Sequence, residues 1–272
     1  MCCRVHHASL FLTTAVTTKN LLVSECDGIL TLTINRPEKR NALRMDLLDQ
    51  IGDTLTQQAS NEQLRLAVIT AAGDRCFAAG GDLQELDAIR SVEDARAMSK
   101  RGRKALDAVR DFPLPVAAAM NGLALGGGAE LAMACDLRVA AANAEIGFLQ
   151  GQLGVTTAWG GGIDLIAAVG SQNALDLLLS ARRLKAEEAL AAGLFTEVCG
   201  PEESFEDCVN SFIKAHANRS RQVLLGYKAL TKNHRMALHE NLRATEEQRF
   251  VDAWTHEDHW TAVEQAAVRR KK

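Results

Sequence analysis

The chain has 272 residues, enough for one large domain or for a core domain plus a smaller appendage, and its composition, 47% hydrophobic and only 4% aromatic, excludes disorder and argues for tightly packed helices. Lys and Arg number 31 against 34 Asp and Glu, and the net charge of −3 excludes a global field for nucleic acid or an anionic membrane. Seven cysteines between Cys2 and Cys208, with no CxxC pair, read as neither a disulfide framework nor a zinc site and point to a reducing compartment.

The chain starts with 24 acid-free residues, rich in Thr and holding the short apolar piece LFL at 10–12. Residues 1–20 are expected to be a disordered leader, with a targeting segment as the alternative. No apolar run approaches the 18 or more residues of a membrane span. Residues 21–34 alternate around Asp27-Gly28, a dipeptide suited to a type I′ turn, which predicts two antiparallel strands closed by Arg36-Pro37. Helical spacing of Leu47, Leu48, Ile51 and Leu55 predicts a helix over 45–58, and residues 66–70 read as a buried strand. Residues 71–82, with Gly73, Gly80 and Gly81, are expected to form a loop leaving that strand. A polar helix over 92–110 and a strand over 115–120 follow.

The next stretch, GLALGGGAE at 122–130, starts like a buried helix but carries three consecutive glycines and a carboxylate. Beyond it a strand is expected at 136–142, helices at 160–169, 171–179 and 185–192, and a strand at 195–199. Residues 205–217, 222–236 and 257–270 read as amphipathic helices without strand signal. A boundary is therefore drawn near Gly200, separating a core of residues 21–200 from a C-terminal helical region, 201–272. Residues 269–272 read as a solvated basic tail.

Glycine within a helix costs about 1 kcal/mol against alanine, and burying an unpaired carboxylate costs several more. Folding stability alone does not explain such a stretch. Two glycine turns, AAGGD at 78–82 and GGGAE at 126–130, each follow a buried strand, and α/β sheets bind ligands beyond the carboxyl ends of their strands. Amides at a helix start would there form an oxyanion hole; the plainer reading is that the glycines only permit tight turns. Glu130 lies one helical turn after Gly127, where a proton donor or acceptor beside an oxyanion should sit, or where a carboxylate would cap nearby amides. GxGxxG after a strand, GxxxxGK[ST] and GxSxG are all missing, which removes the main evidence for nucleotide folds and serine hydrolases. His256 and His259, in HEDH, lack the HExxH pattern and read as a solvated helix face rather than a metal site.

Four pieces in order, NRPEKRNAL (35–43), CFAAGGD (76–82), NGLALGGGAE (121–130) and WGGG (159–162), resemble the crotonase family, the enoyl-CoA hydratase/isomerase superfamily. The resemblance runs from Leu21 to the C-terminus. It implies an α/β fold, a spiral of repeated β-β-α units that builds two roughly perpendicular sheets, with C-terminal helices making contacts in a homotrimer or dimer of trimers. It assigns the oxyanion hole to the backbone N–H groups of Gly81 and Gly127, gripping the thioester oxygen of an acyl-CoA. Ala79 and Leu83 would lie along the adenine and pantetheine path, and Arg40 near the coenzyme A phosphates. No metal or redox cofactor is implied, coenzyme A being part of the substrate, and neither nucleic acid nor membrane is an expected partner. The family also implies a role in fatty acid metabolism, in the cytoplasm, or in the mitochondrial matrix if the N-terminal segment is a transit peptide.

Hydratases of this family use two glutamates, the second in a loop similar to FLQGQLG at 148–154, where this chain has Gln150. An amide does not exchange protons as an acid or base near neutral pH. The expected activity is an enoyl-CoA hydratase/isomerase-like lyase that stabilises a thioester enolate, with Glu130 as its single catalytic carboxylate. The alternatives are a short-chain (methyl/ethyl)malonyl-CoA-type decarboxylase, which GVTTAWGG at 154–161 also resembles, and a non-catalytic binding homologue.

Overall fold

The computed structural model describes residues 18–271. Strands β1 (Leu21–Cys26) and β2 (Ile29–Ile34) pair antiparallel across Asp27-Gly28, both at positive φ (50° and 77°), as the type I′ reading predicts. Then follow α1 (Met45–Gln58), β3 (Leu66–Ala71), β4 (Cys76–Ala78), α2 (Leu83–Leu86) and α3 (Val92–Asp111). The middle of the chain contains β5 (Val116–Met120), β6 (Leu123–Leu125), α4 (Gly127–Ala134), β7 (Leu137–Ala140), β8 (Glu145–Gly147) and α5 (Gly161–Ser180). The remainder is β9 (Leu184–Lys185), α6 (Ala186–Ala191), β10 (Glu197–Val198), α7 (Phe205–Ala217), α8 (Arg221–Trp254) and α9 (Glu257–Lys271). Short 3-10 helices occupy Pro37–Lys39 and Leu149–Leu153.

The strands form a six-stranded sheet, β1-β2-β3-β5-β7-β10, and a four-stranded sheet, β4-β6-β8-β9. After the first hairpin the larger sheet is parallel throughout. Each of β3, β5 and β7 hands the chain to a short strand of the second sheet, β4, β6 and β8, and then to helix, which is the repeated β-β-α unit. Burial on both faces explains the continuous apolar runs in β3 and β5. Ala67, Ile69, Val116, Ala118 and Met120 join the main core, whereas Leu66, Val68, Ala117 and Ala119 pack with Cys208 and Phe212 of α7.

Three expectations about elements change. Residues 71–82 are not all loop, because β4 lies inside them, and residues 122–136 include β6; three-residue strands carry too few residues to show a period. Helix α8 runs on to Trp254 instead of stopping at Met236. The helices expected at 160–169 and 171–179 form one element, α5, broken at Gly170 (φ 76°, ψ 164°).

One composition reading also changes. Cys199 and Cys208 form a disulfide, brought together as α7 folds back on the larger sheet. Helix α5 is 20 residues long and contains an 18-residue window of mean hydropathy 1.2, enough by length and composition to cross a membrane. The backbone break at Gly170 and a fully buried ion pair at Asp164 mark it instead as a helix of this core.

That ion pair belongs to a network joining α3, α5 and α8. Arg110, with no exposed side-chain surface, donates to Asp164 Oδ2 at 2.8 Å and to Asp107 Oδ1 at 2.8 Å, and His239 Nε2 lies 2.8 Å from Asp164 Oδ1. Burial by itself would raise the Asp164 carboxyl, but Arg110 and His239 outweigh it and hold it well below the usual carboxylate range. A folded-state value below the unfolded one means this stabilisation is present above the ordinary carboxylate range and is lost as pH falls through the folded value. Asp164→Asn leaves Arg110 buried with its principal carboxylate partner neutralised and is expected to lower unfolding free energy by about 3 to 5 kcal/mol. Urea unfolding at neutral pH measures this; a loss of less than about 1 kcal/mol would contradict it.

Candidate active site

Strands β4 and β6 are parallel neighbours, so the turns that leave them emerge side by side. The Gly80 turn has φ 105°, and a Cβ there would stand 3.7 Å from the Gly127 amide nitrogen, a measure of how closely the two turns approach. The Leu43 N–H donates to Gly80 O (2.8 Å) and the Asp82 N–H to Leu43 O (2.9 Å), a bridge that leaves the intervening Gly81 amide unused. Gly127 is the first residue of α4, where helical geometry gives its amide no partner within the helix. Both predicted oxyanion donors thus lie at one place, and neither N–H is hydrogen-bonded among the described residues.

Trp159 packs over this pair of turns. Its indole lies where a Cβ on Gly127 would come within 2.4 Å and one on Gly81 within 3.9 Å. The sequence motif contained Trp159 without giving it this role.

Glu130, one turn into α4, is 2% exposed. Its Oε2 accepts from the amides of Trp159 (2.8 Å) and Gly161 (2.9 Å), and its Oε1 accepts from Gln150 Nε2 (2.9 Å) and the Ala158 amide (3.5 Å). The capping and acid/base readings of Glu130 are therefore compatible, because the amides it satisfies belong to a different loop and fix its carboxylate in place. Burial pushes this carboxyl up to about 7, the Glu246 carboxylate pushes the same way, and the Gly161, Trp159 and Gln150 hydrogen bonds pull it back. Such a group exchanges protons near neutral pH. Gln150 Oε1 is buried and has no partner among the described residues.

Both turns, Glu130 and Gln150 line a cavity of 840 Å³, large enough for a cofactor-sized ligand. Arg40 and Ala79 line it too, joined by a bond from the Ala79 amide to the Arg40 carbonyl (3.1 Å). Leu83 opens α2, and its side chain lies outside the described residues. Leu86 and Met98, with Phe250, Trp254 and Val263 from α8 and α9, add apolar lining. His259 departs from the solvated face expected of it: it is 2% exposed, its Nδ1 donates to Leu153 O (2.6 Å), and it packs on Trp254 at 4.5 Å between ring centroids. Burial lowers its pKa, and the hydrogen bond to Leu153 O works against that shift.

The model of the family described as enoyl-CoA hydratase/isomerase matches residues 24–271. The chain belongs to the enoyl-CoA hydratase/isomerase family. It is 31% identical over 252 residues to a short-chain-enoyl-CoA hydratase of Clostridium acetobutylicum, covering 93% of this chain and 96% of that protein. It is 39% identical over 185 residues to a crotonyl-CoA hydratase of Syntrophomonas wolfei, covering 68% and 71%. Among solved structures, an enoyl-CoA hydratase from Mycobacterium avium subsp. paratuberculosis K-10 superposes with a TM-score of 0.82 at 26% identity, over 91% of this chain and 98% of that one. The protein is therefore a crotonase-family lyase, enoyl-CoA hydratase/isomerase-like in its acyl-CoA activity. Within this family framework the site contains a residue that motif reading missed: Glu246 of α8, on the far side of the 157–161 loop from Glu130. Only long-range packing brings it there, 86 residues from Gly160 in sequence.

Proposed function

We propose that this enzyme adds water across the double bond of a short-chain 2-enoyl-CoA, holding the thioester oxygen at the Gly81 and Gly127 amides with Glu130 as its single catalytic carboxylate. The observation that carries this reading is the Glu130 carboxylate, buried and fixed one helical turn from the Gly127 amide, with a proton affinity poised near neutrality. Glu130 takes a proton from water as the water oxygen bonds to C3, and the π electrons move onto the thioester oxygen. The resulting enolate is held by the two amides, and Glu130 returns the proton to C2. Gln150 orients the water: its Nε2 is committed to Glu130, which leaves Oε1 as an acceptor for a water hydrogen. Arg40, Ala79 and Leu83 flank the coenzyme A portion. Exposed Leu175 and Leu179 on α5, and Val223, Tyr227 and Leu230 on α8, support association into a trimer.

A second reading rests on Gln150 standing where a paired carboxylate would be needed to share the work on water. Decarboxylation of a malonyl-type thioester breaks the bond to the carboxylate carbon, releases CO2 and leaves its electron pair in the same enolate, which protonated Glu130 then quenches at carbon. An assay panel of crotonyl-CoA hydration against methylmalonyl- and ethylmalonyl-CoA decarboxylation separates the two. Hydration that falls about tenfold in Gln150→Ala is the expected result. Turnover of malonyl-type thioesters without crotonyl-CoA hydration would establish the second reading, and coenzyme A binding without any turnover would establish a binding homologue.

A further inference from the structure

We propose that Glu246, paired with Arg103, is a positioning residue that sets the geometry of Glu130 through residues 157–161; this rests on the reading of Glu130 as the acid/base group. Glu246 Oε1 accepts from the Thr157 hydroxyl at 2.6 Å, and its Oε2 accepts from the Gly160 amide at 2.9 Å and from the Arg103 guanidinium. The amides of Ala158, Trp159 and Gly161 go the other way, to Glu130. Along five consecutive residues the loop therefore alternates between two carboxylates, one on α8 and one on α4. Neither side can shift without pulling hydrogen bonds from the other.

The loop carbonyls are fixed from a third direction. Ser99 Oγ and Arg103 donate to Ala158 O (2.9 and 3.3 Å), and Arg110 donates to Trp159 O (2.8 Å), all from α3. Glu246 and Arg103 have side chains only 9% and 5% exposed, so solvent screens their pair little. Glu246 has no place in the cavity lining, whereas Glu130 has. Its action on substrate is therefore indirect, by holding Glu130 and by adding negative charge behind it, the second cause, after burial, of the raised Glu130 proton affinity. Among the described residues, the other ionisable groups around this loop include Arg103 itself and Arg110, which reaches Trp159 O directly, with the network partners of Arg110 on α3, α5 and α8: Asp107, Asp164, Arg235 and His239. Gln150, on the cavity side, is neutral.

The test reads Glu130 directly. Infrared titration of the whole protein, subtracting the same spectra of Glu130→Gln, isolates the Glu130 carboxyl, and the subtraction is repeated in a Glu246→Gln background. Glu246→Gln keeps an acceptor for the Gly160 amide but removes the charge. The Glu130 midpoint is expected to fall by about one pH unit, and the midpoint of kcat/KM to move down with it. Glu246→Ala, which also removes the acceptor, is expected to lower kcat about 10- to 100-fold with KM within about twofold. Thr157→Val leaves the ion pair intact, is expected to cost about fivefold in kcat, and decides the matter if both Glu246 variants fail to fold. An unmoved Glu130 midpoint and wild-type kcat in a folded Glu246→Gln protein would overturn the proposal, as would wild-type kcat in Thr157→Val. Should Glu130→Gln remain fully active, the catalytic reading fails instead, while the carboxyl titration still reports the coupling.

Discussion

Glu130→Gln is expected to lower kcat for crotonyl-CoA hydration about 10³-fold while KM changes by less than about threefold. The substitution is nearly isosteric. Its carbonyl oxygen can still accept from the Trp159 and Gly161 amides, and Gln150 can turn its unpartnered Oε1 toward the new amide group. What is lost is proton exchange, because an amide does not ionise near neutral pH. The pH profile of the wild-type enzyme gives an independent check and also separates the two reactions. Hydration needs the carboxylate as base, so kcat/KM should rise with pH through about 7; quenching a decarboxylation enolate needs the acid, so that activity should fall through the same value. Stability supplies the control for folding. The folded-state pKa of Glu130 lies above its ordinary value, so the associated stability is fully present at low pH and is lost as pH rises through about 7. Glu130→Gln should therefore raise Tm relative to wild type above pH 7 more than below pH 5, and inactivity with that signature cannot be ascribed to unfolding.

The larger architecture was legible where local physics decides it. Asp27-Gly28 enforces its hairpin, the 3.6-residue spacing of Leu47, Leu48, Ile51 and Leu55 defines α1 to the residue, and β3 and β5 announce their two-sided burial by unbroken apolar runs. The second sheet was not legible, because β4, β6 and β8 have three residues each and draw their order from neighbours rather than from alternation. At the site, the glycine turns and Glu130 stood out because they break propensity rules inside an apolar segment, and breaks of that kind mark function. Gln150 stood out only as a departure from a family pattern. Arg103, Glu246 and His239 had no comparable signal: as single charged residues on amphipathic helices they look like solvated face, and only the packing of α8 on α3 and α5 buries them. The disulfide was hidden for a similar reason. Cys199 and Cys208 stand nine positions apart, and the fold, not the spacing, brings them together.

Gly127→Ala is expected to lower kcat about 10²- to 10³-fold, the cost of displacing one oxyanion donor, or about 3 to 4 kcal/mol of transition-state stabilisation. The reason is steric and local. The added methyl would lie 2.4 Å from Cζ3 and 2.9 Å from Cη2 of Trp159, distances at which one of the two groups must move. Trp159 has little room to yield: the indole is 4% exposed, its amide is held by Glu130, its carbonyl by Arg110, and its other edge abuts Gly102 so closely that a Cβ there would meet Nε1 at 2.3 Å. The start of α4 must therefore shift, carrying the Gly127 amide away from the thioester oxygen. If that account is right, shrinking the obstacle should return part of the rate. Trp159→Phe in the Gly127→Ala background is expected to recover at least tenfold in kcat over Gly127→Ala alone, although Trp159→Phe in the native background lowers activity by opening a void. The double-mutant cycle measures that coupling; additive effects, or wild-type kcat in Gly127→Ala, would remove the Gly127 amide from the chemistry and leave its glycine as a packing requirement only.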